Sequence, residues 1–523
     1  MTRHNRWSAA LVALATCGAA ACGSGDDGPG ASGPATTEPP ATSAAQAPTT
    51  TAAATTASTP VPQSMPEWES LWEAERAAMV EKIEANGWGR SPDGKTLVGP
   101  AGFSIDLGQC PQGWDDTEGL TDTEIRIGYV LPQSGILAES AAGGQAGDAL
   151  YRYYADQGAF SDVNGKTRQV DVIMRDDAYD PARTIPLVDE LIDSEKVFLI
   201  ETVGSAPTLK TYDKLSERCI PQPLPASGHP GMGDPVNHPW TTSSSISYST
   251  EAVLWGAFIE QRLDEFGGKV KVASLKINND FGAAYDSGFE AFLASSDHKD
   301  DIEYVSETSE ATAPTIKELM TSIAAEDPDM FIAMTVGTQC GQAITEAAEN
   351  GMKDATEYKF LSSACKASGP VTEDKVGEAS DGWWSVGGGL KDIESPASDD
   401  DPFIVAARQF VTDAGYDYHS PSMNLGLYYN WTIAQAMMIA GQLDGGLSRS
   451  NLILVLRSMD MTNPMLLPGL DFNMNGNEDA FLLEGSDIAV WDAETQAWVL
   501  DSITDISGRT PLCAWDQATS RCE

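Results

Sequence analysis

The sequence is short of positive charge. Its 523 residues include 32 Lys and Arg against 77 Asp and Glu, so the formal net charge at pH 7 is −45. A protein of this charge repels nucleic acid phosphates and anionic membrane surfaces. The composition therefore excludes a role in binding DNA or RNA.

Long hydrophobic runs are also lacking after the first two dozen residues, so the sequence predicts no internal membrane span. The start of the chain is different. Residues 1–21 combine a basic beginning, with Arg3 and Arg6, and a short apolar stretch followed by small residues. This pattern is typical of a signal peptide for export.

Residues 18–22 resemble the lipobox of bacterial lipoproteins, although Ala19 stands where that motif usually has Leu. The resemblance implies that Cys22 carries a lipid and anchors the protein to the membrane. The alternative is simple secretory cleavage after Ala21, which leaves a free thiol. Residues 22–64 are rich in Ala, Thr, Ser, Pro and Gly, which predicts a disordered linker behind the anchor.

Thiols oxidise outside the cytoplasm, so the cysteines of the mature chain are candidates for disulfides. Six remain once Cys17 and Cys22 are set aside, and six cysteines allow fifteen pairings. Two follow apolar strand-like runs, and we predict that neighbouring parallel strands bring their loops together. Two others can close a short loop at the tail. The predicted pairs are Cys340 with Cys365, Cys513 with Cys522, and Cys110 with Cys219.

Metal-binding patterns are weak. The five histidines are scattered, and no CxxC pair or His spacing typical of zinc is present. Residues 471–479 imitate the start of a calcium loop, but Leu482 occupies the twelfth position, where a bidentate Glu would bind. A polar turn is favoured there, with calcium left open. We predict no cofactor and no metal site.

The pattern of apolar residues predicts the helices and strands of the rest of the chain. Residues 66–86 predict an amphipathic helix that ends at Asn86-Gly87. From Thr121, strands alternate with helices as βαβαβα, and a second such set starts near Thr250. Alternation of this kind predicts two α/β halves with parallel, doubly wound sheets.

Several segments then carry a resemblance, in order and at sensible spacing: EIRIGYVLPQSG (124–135), VNGKTRQVDVIMRDDAYDPART (163–184), CIPQPLPASGHPGMGDP (219–235), HPW (238–240) and NNDFG (278–282). They resemble the type I periplasmic solute-binding proteins of the branched-chain amino-acid ABC transporter family, over about residues 121–507. The resemblance implies two α/β lobes joined by three hinge crossings and a small-molecule solute clamped between them. It also implies delivery to an ABC permease, and no catalysis.

The resemblance and the composition together divide the chain. The expected parts are a signal peptide (1–21), an anchor and linker (22–64), a helical extension (65–121), a first lobe (122–246 and 387–468), a second lobe (247–386 and 469–507) and a disulfide-closed tail (508–523).

A candidate binding site follows in the first lobe, because ligands of open parallel sheets bind outside the carboxyl ends of the strands. Gly204 and Ser205 lie between a strand and a helix. The resemblance implies that Ser205 takes a ligand carboxylate and that Ala226, Ser227 and Gly228 receive an amino-acid head group. Gly228 replaces a hydroxyl-bearing residue, so one hydrogen bond is missing. The alternative for Ser205 is a helix N-cap that serves only its own backbone.

In the second lobe, Phe281 stands where the family places an aromatic residue over the ligand, although such a ring is often ordinary core. Thr335 and Thr338 follow a strand and could supply hydroxyls, or form a plain loop. Ala364 stands near the position of an acidic residue in amino-acid binders. The lack of an acidic residue at this position argues against a standard α-amino acid as the ligand, because a buried ammonium group needs a charged partner. Asp280 or Glu201 could replace that partner if its side chain turned inward.

The sequence thus predicts a monomeric, lipid-anchored receptor on the outer face of the cell membrane. Its ligand is expected to be amino-acid-like, an amide or a carboxylate. Two alternatives belong to other classes. The same fold could serve a membrane signalling partner, or the chain could be an extracellular hydrolase. The second is disfavoured, since no GxSxG, HExxH or Cys-His arrangement is visible.

Overall fold

The computed structural model describes residues 61–523 apart from residues 244, 368, 507, 517 and 523. The predicted signal peptide, the lipidated Cys22 and most of the predicted linker lie outside the described residues. Within the described part of the chain, no helix combines the length and apolarity needed to cross a bilayer.

A helical extension precedes the α/β body. Helix α1 spans Met65–Ala85 and begins at Ser64, whose side chain accepts a hydrogen bond from the backbone N–H of Glu67. Its Trp72 is fully buried, and its ring centroid lies 5.3 Å from that of Trp431. Three short antiparallel strands follow: β1 (Gly89–Arg90), β2 (Thr96–Val98) and β3 (Ser104–Asp106).

The first lobe contains a parallel sheet of three strands in the order β5-β4-β6. Its strands are β4 (Glu124–Leu131), β5 (Gln169–Asp176) and β6 (Leu199–Thr202), with a further short parallel pair, β7 (Gln222–Pro223) and β8 (Thr241–Thr242). The helices between these strands are α2 (Ala141–Asp156), α3 (Pro181–Glu190), α4 (Ser205–Leu209) and α5 (Tyr212–Glu217).

The second lobe is built on a seven-stranded sheet in the order β10-β9-β11-β12-β13-β14-β15. The first five strands run parallel and the last two are antiparallel: β9 (Val270–Ile277), β10 (Ile302–Ser309), β11 (Met330–Met334), β12 (Tyr358–Leu361), β13 (Trp383–Val386), β14 (Gly485–Asp492) and β15 (Ala497–Asp505). The helices between β8 and β13 are α6 (Tyr248–Gln261), α7 (Asp280–Ser295), α8 (Lys317–Ala325), α9 (Thr338–Glu349), α10 (Met352–Ala355), α11 (Ser363–Ala367) and α12 (Glu373–Val376).

After β13 the chain returns to the first lobe. It forms α13 (Pro402–Asp413), α14 (Met423–Gln442) and α15 (Arg449–Arg457), and α14 packs along α2. The chain ends in a short antiparallel pair, β16 (Trp515–Asp516) and β17 (Arg521–Cys522). Three stretches therefore connect the lobes: between β8 and α6, between β13 and α13, and between α15 and β14. Isolated bridges join Ser243 to Phe481 and Leu390 to Leu466, so these stretches lie side by side. This arrangement is the type I binding-protein fold that the sequence predicts.

The structure contains the three predicted disulfides, Cys110–Cys219, Cys340–Cys365 and Cys513–Cys522. The sequence argument for the second pair was wrong in one respect. Cys340 and Cys365 lie in the first turns of α9 and α11, not in loops, because these helices begin within a few residues of their strands.

Candidate functional site

A cavity of about 600 Å³ lies between the two lobes. The first lobe contributes the loop after β7 and residues near the start of α14, and the second contributes α11, α12 and the ends of the last two long strands. The connecting segments form the remaining wall, through residues 387–388 and 245–246. A volume of this size lies in the range of ~300–1,000 Å³ typical of small-molecule sites.

Aromatic and aliphatic side chains form much of the cavity wall. Tyr428 and Tyr429 come from α14, and Trp491 and Trp498 come from β14 and β15. Tyr429 also joins the connecting segment, since its hydroxyl lies 2.5 Å from Oγ of Ser245. Such a wall suits a solute with an apolar or aromatic body.

The lysines of the cavity wall each lie close to a carboxylate. Nζ of Lys366 is 2.7 Å from Oδ2 of Asp487, and Nζ of Lys391 is 2.7 Å from Oδ2 of Asp401. Asp487 is almost fully buried, so this pair is shielded from solvent. Burial also raises the pKa of Glu394, another wall residue, to about 7, and neighbouring carboxylates add to the effect.

Several contacts hold the lobes together beside the cavity. Lys375 on α12 forms an ion pair of 3.2 Å with Glu139 of the first lobe. The hydroxyl of Tyr179 in the first lobe lies 3.5 Å from Nδ2 of Asn279 in the second. Gly337, at the start of α9, approaches the carbonyl oxygen of Ile136 so closely that an added Cβ would overlap it. The two lobes are thus in contact beside the cavity in this structure.

The structure places four of the residues singled out from the sequence on the cavity wall: Ala226, Ser227, Gly228 and Ala364. It places the other five elsewhere, and Gly204 is one of these. The ring of Tyr179 lies over Gly204 and leaves no room for a Cβ there.

Ser205 is fully buried, and its hydroxyl lies 3.0 Å from that of Ser227. The ring of Tyr248 lies against Gly228, the residue after Ser227. The N-cap of α4 is Gly204, and Ser205 makes no capping hydrogen bond. The capping alternative for Ser205 is therefore wrong.

Phe281 is buried in the first turn of α7, where its ring packs edge-on against Tyr248 and Tyr285 at 5.1 Å each. Thr335 is fully buried, with Oγ1 3.4 Å from Sγ of Cys365. Thr338 is exposed at the start of α9. The structure therefore does not bring these three side chains to the cavity wall.

The carboxylates suggested as partners for a ligand ammonium do not line the cavity. Asp280 begins α7, and Glu201 is buried in β6, where neither of its oxygens has a hydrogen-bond partner among the described residues. Burial raises the pKa of Glu201 to about 8.

Sequence reasoning missed Glu251, a fully buried residue of α6. It accepts hydrogen bonds from the backbone N–H of Ser363 at 3.0 Å and from the hydroxyls of Ser363 and Tyr285. Ser363 lines the cavity next to Ala364. The only sequence signal was an acidic residue in the first turn of an otherwise apolar helix.

Glu251 should make stability depend on pH. Burial raises its pKa from 4.5 to about 7, so the folded protein holds this proton more firmly than the unfolded chain does. The resulting stability is fully present below about pH 4.5 and is lost as the pH rises through about 7. We expect Glu251→Gln to reduce the fall in unfolding free energy between pH 4.5 and 8 by about 3 kcal/mol.

Urea unfolding at a series of pH values measures this difference. The control is Glu318→Gln, since Glu318 is an exposed glutamate on α8. Identical pH profiles for Glu251→Gln and the unaltered protein would contradict the assignment.

Comparisons with known proteins agree with this geometry. A family model described as periplasmic binding protein matches residues 124–482. No curated protein sequence matches the chain. Solved structures do match, at low sequence identity, over about three quarters of the chain.

One match is the fatty acid ABC transporter substrate-binding protein from Thermomonospora curvata, with 16% identity, 76% of this chain and 96% of that chain covered, and a TM-score of 0.61. Another is a branched chain amino acid ABC transporter from Thermus thermophilus with bound valine. Its sequence identity is 15%, the match covers 74% of this chain and 98% of that chain, and the TM-score is 0.62. A third is a solute binding protein of an ABC transporter from Rhodopseudomonas palustris BisB5 in complex with 3,4-dihydroxy benzoic acid. Its sequence identity is 18%, the match covers 75% of this chain and 100% of that chain, and the TM-score is 0.58.

Two α/β lobes with a cavity between them form the architecture of a two-lobed binding protein. The family match covers more than half of the chain, so the chain belongs to the periplasmic binding protein family.

Proposed function

We propose that this protein captures a small solute in the cavity between its lobes and delivers it to an ABC permease of the branched-chain amino-acid type. The single observation that carries the proposal is the cavity of about 600 Å³ with walls from both lobes. The proposal includes attachment to the outer face of the cell membrane through lipidated Cys22.

We propose a ligand with an apolar or aromatic body and a small polar head, such as a carboxylate or an amide. The aromatic wall of Tyr428, Tyr429, Trp491 and Trp498 supports the apolar body. Lys366, which also lines the cavity, can donate a hydrogen bond to a polar head, and the hydroxyl oxygen of Ser363 can accept one. The similar structures are named for a fatty acid, for valine and for 3,4-dihydroxy benzoic acid. The fold thus accommodates ligands of several kinds, and the residues of the cavity select among them.

Closure of the lobes is the proposed mechanism. An open form offers the first-lobe wall to the solute, and the second lobe then closes over it and excludes water. Contacts across the lobes, such as Lys375 with Glu139, exist only when the lobes meet. A ligand that touches both walls binds the closed form more tightly and so increases its population.

A screen of solutes with one cavity variant tests the proposal. Ala367 lines the cavity at the end of α11, so Ala367→Trp places an indole inside it. We expect at least one apolar or aromatic acid or amide to raise the melting temperature of the unaltered protein. Saturation at a hundred times Kd stabilises a protein by about 2.7 kcal/mol. Ala367→Trp should remove that shift.

Ala355→Trp is the matched control, because Ala355 is exposed on α10 and lies away from the cavity. It should keep the full ligand-induced shift. Binding that survives Ala367→Trp unchanged would contradict the assignment of the cavity as the binding site.

A further inference from the structure

Tyr248 occupies an unusual place at one wall of the cavity. It is the first residue of α6, directly after the first connecting segment, and its backbone N–H donates a hydrogen bond of 2.7 Å to the carbonyl oxygen of Gly228. Its ring lies against Gly228. A Cβ added at Gly228 would stand 2.5 Å from Cε1 and 2.7 Å from Cδ1 of that ring. The ring therefore fills the space that any side chain at position 228 would need.

A buried polar cluster adjoins the Tyr248 ring. The hydroxyls of Ser205 and Ser227 lie 3.0 Å from each other, and Ser227 immediately precedes Gly228, against which the ring lies. Ser227 also accepts a hydrogen bond of 3.1 Å from the backbone N–H of His229. Tyr248 thus occupies space beside the serine pair that a carboxylate would need in order to reach it.

The second lobe holds the same ring in place. Tyr285 stacks on it, with ring centroids 4.1 Å apart and planes inclined by 22°. Phe281 packs against it edge-on at 5.1 Å. The ring is therefore fixed between the lobes in the closed form, with only 5% of the residue exposed.

A buried carboxyl group lies on the same helix as Tyr248. Glu251 follows one helical turn later on α6, and its negative charge contributes to the raised pKa of Tyr248, after burial. A pair of serine hydroxyls can hold a carboxylate, and a buried glutamate can hold an ammonium group. Tyr248 lies beside both, where the head group of an α-amino acid would have to fit.

We propose that Tyr248 determines the specificity of the cavity by acting as a built-in occupant of this head-group position. The inference rests on the proposed solute-binding function and narrows its ligand class. The protein then excludes α-amino acids and accepts apolar or aromatic acids and amides that fit the remaining 600 Å³. An α-amino acid could enter the head-group position only by displacing the phenol ring from its place between Gly228 and Tyr285.

Isothermal titration with the purified full chain tests this inference, with leucine, phenylalanine and benzoate as probes beside the best solute of the screen. We expect Tyr248→Ala to bind leucine or phenylalanine at least tenfold more tightly than the unaltered protein. Tyr248→Leu withdraws the hydroxyl but keeps apolar packing against Tyr285, and it should show the same gain if the alanine variant is unstable. Tyr248→Phe keeps the ring and should show no gain.

Adding Glu251→Gln to Tyr248→Ala should abolish the new amino-acid binding, which separates use of this head-group position from a general loosening of the cavity. If the unaltered protein binds a solute of the screen and neither truncated variant gains amino-acid binding, the specificity role is overturned while the solute-binding function stands. Tight binding of leucine by the unaltered protein overturns it as well. If neither the unaltered protein nor any of the variants binds a solute, both the inference and the proposed function fail.

Discussion

Replacing Gly337 with alanine should weaken solute binding about ten- to a hundredfold. An added Cβ at this position overlaps the carbonyl oxygen of Ile136 and comes within 3.2 Å of the Leu137 side chain, both in the first lobe. The lobes must then move apart before the variant can fit, so the closed form loses stability relative to the open form. Calorimetric titration with the best solute of the screen measures the change in Kd.

Gly377→Ala is a closely matched control for this variant. Gly337 has φ 60° and ψ −133°, and Gly377 has φ 58° and ψ −145°, so both substitutions strain the backbone in the same way. An added Cβ at Gly377 meets nothing within 4 Å. Gly377→Ala should therefore leave Kd unchanged. Equal losses of affinity in the two variants would show that backbone strain, and not obstruction of closure, causes the effect.

Removing the Cys110–Cys219 disulfide should destabilise the protein more than removing the Cys513–Cys522 disulfide. The first bond closes a separation of 109 residues and the second a separation of 9. Loop-closure entropy predicts losses of about 5 and about 2.5 kcal/mol, respectively, because the longer loop restricts the unfolded chain more. Urea unfolding of the two double-alanine variants measures both free energies.

The longer bond also has a structural reason to matter. It ties the segment after β3 to the first lobe, where the indole N–H of Trp114 donates a hydrogen bond of 2.9 Å to the carbonyl oxygen of Cys219. The entropic account would be contradicted if Cys513→Ala/Cys522→Ala lowered the free energy of unfolding as much as Cys110→Ala/Cys219→Ala does, or more.

The fold could be predicted because its signals are repeated along the chain. Several parallel strands are short apolar runs, such as Met330–Met334, which is buried at every position and is followed by a helix. Many independent segments therefore indicate the same α/β architecture. The Cys340–Cys365 pair followed from that architecture, since neighbouring parallel strands place the residues after them side by side.

The candidate site was harder to predict because side-chain packing decides it. Ser205 lies at the strand end that the topology indicates, yet its hydroxyl is fully buried and lies 3.0 Å from that of Ser227. Nothing in the sequence near Ser205 signals that a tyrosine more than forty residues later packs against Gly228, beside this serine pair. The absence of a side chain at Gly228 was noticed as a lost hydrogen bond, whereas the structure shows that the same absence makes room for the Tyr248 ring.

Glu251 was overlooked for a related reason. A single acidic residue near the start of a helix is usually a surface group that interacts favourably with the helix dipole. Here α6 packs against α7 and β13, and the side chain is enclosed and bonds to Ser363 and Tyr285. Only the tertiary contacts with Ser363 and Tyr285 distinguish a buried glutamate from a surface glutamate at this position.

The crystal structure of the protein with the best solute of the screen tests the central claim most directly. The account predicts density for one solute molecule in the cavity between the lobes, in contact with Tyr429 from the first lobe and with Trp491 or Trp498 from the second. Solute bound elsewhere on a surface of one lobe, with the cavity empty, would contradict it.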